Sequence, residues 1–238
     1  MARMDIRSSL PVAQPRVTAH ELVHDTLRRA ILSGALPGGT RLVQADIASQ
    51  LAVSTTPVRE ALRDLVAEGL VVFRPHVGAV VRELSVTELT ELYDIRKALE
   101  PLAIKRSVEL ITPEALAAAE GVASAMDHEN DPMAWAALNR TFHSMLEEAA
   151  QASFIHSVLR GVQDIAAIYE THSLINDRAG ISTGNSDHRE LLAALRQRDG
   201  DRAAKIVVDH LDYALRAVLR TQNVDGQLAA DRSAAQSA

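Results

Sequence analysis

The sequence predicts a mainly α-helical chain in two parts: three short helices closed by a two-stranded β-ribbon, then an all-α bundle of six helices. Three observations carry this reading. Capping-box pairs at Thr18 with Glu21 and Ser85 with Glu88 each open an amphipathic run. The apolar period leaves helical spacing after Gly69 and returns to it at Ser85. The charge balance changes at the same place, with 10 Lys and Arg against 8 Asp and Glu in residues 1–85, and 15 against 23 in the remainder.

The chain has 238 residues, 47% of them hydrophobic, enough to bury sizeable cores. It contains no Cys, which excludes disulfide scaffolds, Cys-ligated zinc, iron–sulfur clusters and thiol catalysis. No apolar run approaches the ~18 residues of a membrane span. The expected compartment is the cytoplasm.

Residues 1–17 carry Pro11 and Pro15 without an apolar period and read as a disordered arm. From Thr18, Leu22, Val23, Leu27, Ala30 and Ile31 recur at helical spacing until Ser33-Gly34. After the turn at Pro37-Gly38-Gly39, a second helix spans roughly Gln44 to Leu51, and Ser54 opens a third that Gly69 stops. Leu70 to Phe73 and Ala79 to Arg82 are β-branched apolar runs joined by a turn at 74–78. Residues 18–84 therefore read as a winged helix-turn-helix.

Residues 85–222 read as helices only. The first runs through Leu89, Leu92, Ile95, Leu99 and Leu102, with Pro101 inside it. Thr112-Pro113 and Asp131-Pro132 each place an N-cap before a proline suited to a helix's first turn. Ser153 opens a helix to about Thr171, Gly180 and Gly184 mark a turn-rich loop, and Asp187 and Asp201 flank the last two helices, split at Asp199-Gly200. The tail 223–238 has little to bury and reads as disordered.

A helix-turn-helix reads bases with the first turns of its second helix, which therefore needs small polar and cationic side chains facing outward. Ser54, Thr55, Thr56 and Arg59 meet that need, while Val58, Leu62, Leu65 and Val66 form the inward face. His76-Val77-Gly78 is placed at the wing tip, where glycine permits close backbone approach. The competing reading pairs Arg59 and Arg63 with Glu60 and Asp64 on a solvated face. The stretch DIASQLAVSTTPVREALRDLVAEGLVVFRPHVGAVV, residues 46–81, closely resembles the DNA-binding domain of GntR-type bacterial transcription regulators. The resemblance implies double-stranded operator DNA as the partner, with Ser54, Thr56, Arg59, His76 and Gly78 as contacts; since one recognition helix covers only a half-site, a homodimer on a palindromic operator is expected. Thr55 stands where that family usually has Arg.

In the acidic half, Asn139 and His143 leave one face of a helix a turn apart. His188 and His210 each lie 11 residues from Asp199 in consecutive helices, about 16 Å from the hairpin end, so they can face each other. Three His and one side-chain oxygen suit zinc or another divalent metal such as nickel or manganese. Separately hydrogen-bonded core histidines fit the same spacing. The region resembles the helical FCD effector-binding domain of the FadR-type branch, and its six helices resemble the VanR-like subgroup. That likeness implies a metal held by Asn139, His143, His188 and His210, with Asn139 in place of the usual Asp. It also implies that Arg96 points into the same cavity toward a small carboxylate effector, where the residues alone suggest an intrahelical pair with Glu100. The resulting expectation is a ligand-responsive transcription regulator, a repressor and not an enzyme. The alternative is a metal-dependent hydrolase, which would need Glu147 or Glu190 as its base.

Overall fold

A computed structural model of the chain describes residues 18–236, with side chains for 18–222. The expected arm, 1–17, lies outside the described residues. The element order is α1 (Ala19–Leu32), α2 (Gln44–Gln50), α3 (Thr55–Ala67), β1 (Val71–Arg74), β2 (Gly78–Val81), α4 (Val86–Leu110), α5 (Pro113–His128), α6 (Pro132–Ala149), α7 (Ser153–Asn176), α8 (Ala179–Arg196) and α9 (Gly200–Gln236). Among the described residues no helix is long and apolar enough to cross a membrane.

Both capping boxes form: the hydroxyls of Thr18 and Ser85 accept from the amides of Glu21 and Glu88, whose carboxylates reach back. Val23, Leu27 and Ile31 of α1 pack with Val58, Leu62 and Leu65 of α3 and with Leu70 and Val81 of the wing. The strands pair antiparallel from Val71 with Val81 to Arg74 with Gly78, one residue displaced from the sequence reading. His76 at φ 61° and Gly78 at φ 97° turn the wing tip, a backbone region that favours glycine. Residues 39–42 pair with the other edge of β2, where the Leu42 amide donates to Ala79 at 2.9 Å and the Val81 amide to Thr40 at 2.9 Å. This third short partner has no sequence signal, because it follows a Pro-Gly-Gly turn with no β-rich run.

Three boundaries need correction. The sequence places a loop around Gly180 and Gly184 and starts the next helix at Asp187, yet α8 begins at Ala179. Both glycines permit close approach rather than a turn: a Cβ on Gly184 would lie 2.8 Å from Trp135 Cη2, and one on Gly180 2.8 Å from Leu174 Cδ2. The second correction is the tail. Helix α9 continues to Gln236, through the segment read as disordered from 223. Ala, Gln, Leu and Arg in that stretch are favourable helix formers, so local propensity favours continuing the helix. In addition, α7 ends at Asn176, beyond the expected Thr171.

The winged unit packs on α7. Arg28 of α1 ion-pairs with Asp164 of α7 and, at 3.1 Å, with Glu68. The Leu84 amide donates to the Tyr169 hydroxyl, and Thr171 Oγ1 donates to the Leu32 carbonyl at 3.2 Å. Gly69, at φ 79°, would bring a Cβ within 3.0 Å of Ile165. The joint is therefore both polar and closely packed.

Candidate DNA-reading surface and histidine centre

Ser54 is the N-cap residue of α3, and its hydroxyl makes no capping hydrogen bond. Ser54, Thr55, Thr56 and Arg59 are all exposed, while Val58, Ala61 and Leu62 are fully buried on the opposite face. The alternative of intrahelical pairs is not what forms. Asp64 binds His20 at 2.7 Å, and neither Arg59 nor Arg63 has an ion-pair partner among the described residues. His76 and Gly78 are exposed at the wing tip. Arg41, on the edge segment beside β2, is exposed too and had no motif to mark it.

In the helical part, α6, α8 and α9 bring His143, His188 and His210 together, with one nitrogen of each within 4.8 Å of the others. Ring centroids lie 5.2 Å apart for His143 and His188, 5.5 Å for His143 and His210, and 5.4 Å for His188 and His210. The expected facing of consecutive helices is thus realised. Trp135 stacks against His188 at 6.0 Å, and its indole N–H donates to Asn185 at 2.9 Å, fixing the wall behind the ring. Gly184 leaves room for that indole.

His188 is buried and neither of its ring nitrogens has a partner among the described residues. The Oδ1 of Asn139 is likewise buried and unpartnered. Three converging imidazoles, one of them buried with both nitrogens unsatisfied, are costly unless something satisfies them, so the three histidines fit a divalent cation. Burial first, then the neighbouring charges of His210 and Arg96, lowers His143 to about 3. His188 is held well below its ordinary value by burial and by the other two rings. Both imidazoles are therefore neutral at pH 7, the form that ligates metals. Sequence reasoning missed Asp187, whose Oδ2 sits 2.9 Å from His210 Nδ1. Its position beside His188 gave no hint, since it serves the histidine of the next helix.

His143 also borders a cavity of about 430 Å³, shared with Asn139, Arg96, Arg140, Asp164 and Glu170. Arg96 is buried and does form the pair with Glu100, at 2.7 Å, but it also donates to Glu170 at 2.6 Å. Tyr93 holds the same Glu170 oxygen at 2.7 Å, and Arg96 Nη2 makes no hydrogen bond among the described residues. Glu170, on α7, was not legible because no motif marks it in the sequence. Of the two candidate hydrolytic bases, neither Glu147 nor Glu190 lines the space between the histidines. Its carboxylate is Asp187.

A three-helix unit with a wing, followed by a six-helix bundle, is matched by two family models. Residues 19–81 match the bacterial regulatory proteins of the gntR family, and residues 91–213 match the FCD domain. This chain belongs to the GntR family and carries an FCD domain. It is 32% identical over 206 residues to the "Probable D-xylose utilization operon transcriptional repressor" of Paenarthrobacter nicotinovorans, covering 82% of this chain and 87% of that protein. In fold it is similar to Escherichia coli McbR/YncC, with a TM-score of 0.76 at 24% identity over 87% of this chain and all of that one. A GntR regulator from Rhodococcus sp. RHA1 gives a TM-score of 0.73 at 25% identity, covering 84% of this chain and 97% of that one. The GntR/FCD protein is accordingly a DNA-binding transcription regulator.

Proposed function

We propose that this regulator is a ligand-responsive repressor that binds a palindromic operator as a homodimer and senses a small carboxylate at a metal centre in its FCD domain. The observation that carries the sensing half is the convergence of His143, His188 and His210 beside a cavity that Asn139, with its unpartnered oxygen, also lines. On the DNA side, Ser54, Thr55, Thr56 and Arg59 would enter the major groove, with His76 and Gly78 at the flanking backbone. Exposed Ile95 and Leu102, two turns apart on α4, support a dimer face.

His143, His188, His210 and Asn139 would hold the cation, with zinc the best match to the donor set and nickel or manganese the other candidates. When bound, the metal supplies a Lewis-acidic point for an effector oxygen. Asp187 orients His210, and Trp135 and Phe142 exclude water around His188. Arg96, with Nη2 unengaged, offers the effector's carboxylate a donor from the cavity wall. The six helices of the bundle, α4 to α9, support placement in the VanR-like subgroup of the FadR-type branch. The hydrolase alternative has less support, because Asp187 is already engaged by His210.

The test is metal content and operator affinity on the full chain. Loss of about one metal per chain in His188→Ala and His210→Ala, with operator binding altered by a chelator, is the expected result. Unchanged metal content in both variants overturns the metal reading.

A further inference from the structure

Not all the arginines at the large cavity are alike. Arg28 is paired with Glu68 and Asp164, and Arg96 with Glu100 and Glu170. Arg140, on α6 beside Asn139, makes no hydrogen bond or ion pair among the described residues, and its Nη1 is buried without a partner. The carboxylates that act on it electrostatically are Asp164 and Glu170, which hydrogen-bond Arg28 and Arg96 instead. A guanidinium left in that state is costly, and an anion entering the cavity would relieve the cost. A second arginine on the cavity wall, Arg160, is exposed and also without a partner among the described residues. At about 430 Å³ the cavity falls in the range that holds ligands larger than a simple monocarboxylate.

We infer that the cavity takes a ligand with a second anionic group, a carboxylate or phosphate separate from the carboxylate directed at the histidine centre, and that Arg140 receives it. This inference rests on the effector reading above and deepens it. One member of the wall, Arg28, comes from α1 of the winged unit. An anion seated at Arg140 therefore meets both parts of the chain and competes with Asp164 for Arg28, one of the contacts that seat the winged unit on α7. By linkage, occupancy and operator binding would then alter each other by the same factor.

The Arg140 guanidinium has a buried Nη1 and no partner among the described residues. Removing its charge should therefore not destabilise the unliganded protein.

Calorimetric titration of the zinc-supplemented full-length protein with two matched pairs tests the inference: butyrate against succinate, and glycerate against 3-phosphoglycerate. At least one dianion should bind about tenfold or more tightly than its monoanion. Arg140→Gln should bring that pair within about twofold without changing the monoanion's affinity, and Arg140→Lys should retain part of the advantage. The preferred pair tells carboxylate from phosphate, and either supports the site. The inference is overturned by equal binding within both pairs, by equal weakening of both members in Arg140→Gln, or by a lowered unfolding temperature of the unliganded Arg140→Gln. The effector reading fails separately. Monoanion binding that needs His188, with no dianion advantage, removes only the second subsite. A dianion advantage that survives His188→Ala removes only the metal centre, and binding of none of the four removes both.

Discussion

The Nδ1–H of His210 donates to Asp187 Oδ2 at 2.9 Å, so the next-to-last helix supplies both a histidine of the centre, His188, and the carboxylate that orients the histidine of the last helix. A carboxylate bound to Nδ1 fixes the tautomer in which Nε2 is the free donor to a metal. Asp187→Ala should therefore lower metal affinity by roughly 10- to 100-fold while leaving the fold intact. Competition with a chromophoric chelator measures this, and an unchanged dissociation constant would show that His210 does not ligate.

Arg59 leaves the first turns of α3 exposed and without an ion-pair partner. Arg59→Ala should weaken binding to the operator by about 1–3 kcal/mol if it reads a base edge, and lower the preference over scrambled duplex. Anisotropy titrations with both duplexes separate that outcome from loss of a phosphate contact, which would weaken the two equally.

Gly184 faces Trp135 so closely that an added Cβ would lie 2.8 Å from the ring edge. Gly184→Ala should destabilise the protein by about 1–3 kcal/mol, despite the better helix propensity of alanine, because overpacking outweighs it. The displaced indole should also reduce metal content. Thermal unfolding together with metal analysis checks both.

Burial, opposed by the hydrogen bond from Gln163, raises Glu147 from its ordinary 4.5 to about 7. Its folded-state pKa lies above the unfolded one, so the associated stability is present below about pH 4.5 and is lost as pH rises through about 7. Glu147→Gln should consequently be more stable than the parent above pH 7, by up to about 3 kcal/mol, with the difference closing toward pH 4.5. Urea unfolding across this range measures it. A difference that stays constant with pH would show that folding does not raise the Glu147 pKa.

The elements with local chemical signals were legible in the sequence. Thr18, Ser85, Thr112 and Asp131 each begin a helix as N-caps, because capping is settled within four residues. The facing of His188 and His210 was also legible, since helical rise and equal distance from Asp199 place them at one height, whereas His143 was marked by its spacing from Asn139 and by the family resemblance. What escaped depends on packing between distant segments. Gly180 and Gly184 read as turn residues until Leu174 and Trp135 are seen against them. Glu170 and Arg140 carry no motif, and their difference, one doubly held and the other unpaired, exists only in the folded cavity.

The most direct test of the account is an anisotropy titration of the full-length protein against duplex DNA from upstream of its own gene. A scrambled duplex serves as control at the same salt, with and without zinc and chelator. The account predicts a preference of about a thousandfold for the upstream duplex and a shift in that affinity when the metal is removed. Specific binding that ignores metal would contradict the sensing centre. Equal, weak binding to both duplexes under all conditions would contradict the account as a whole.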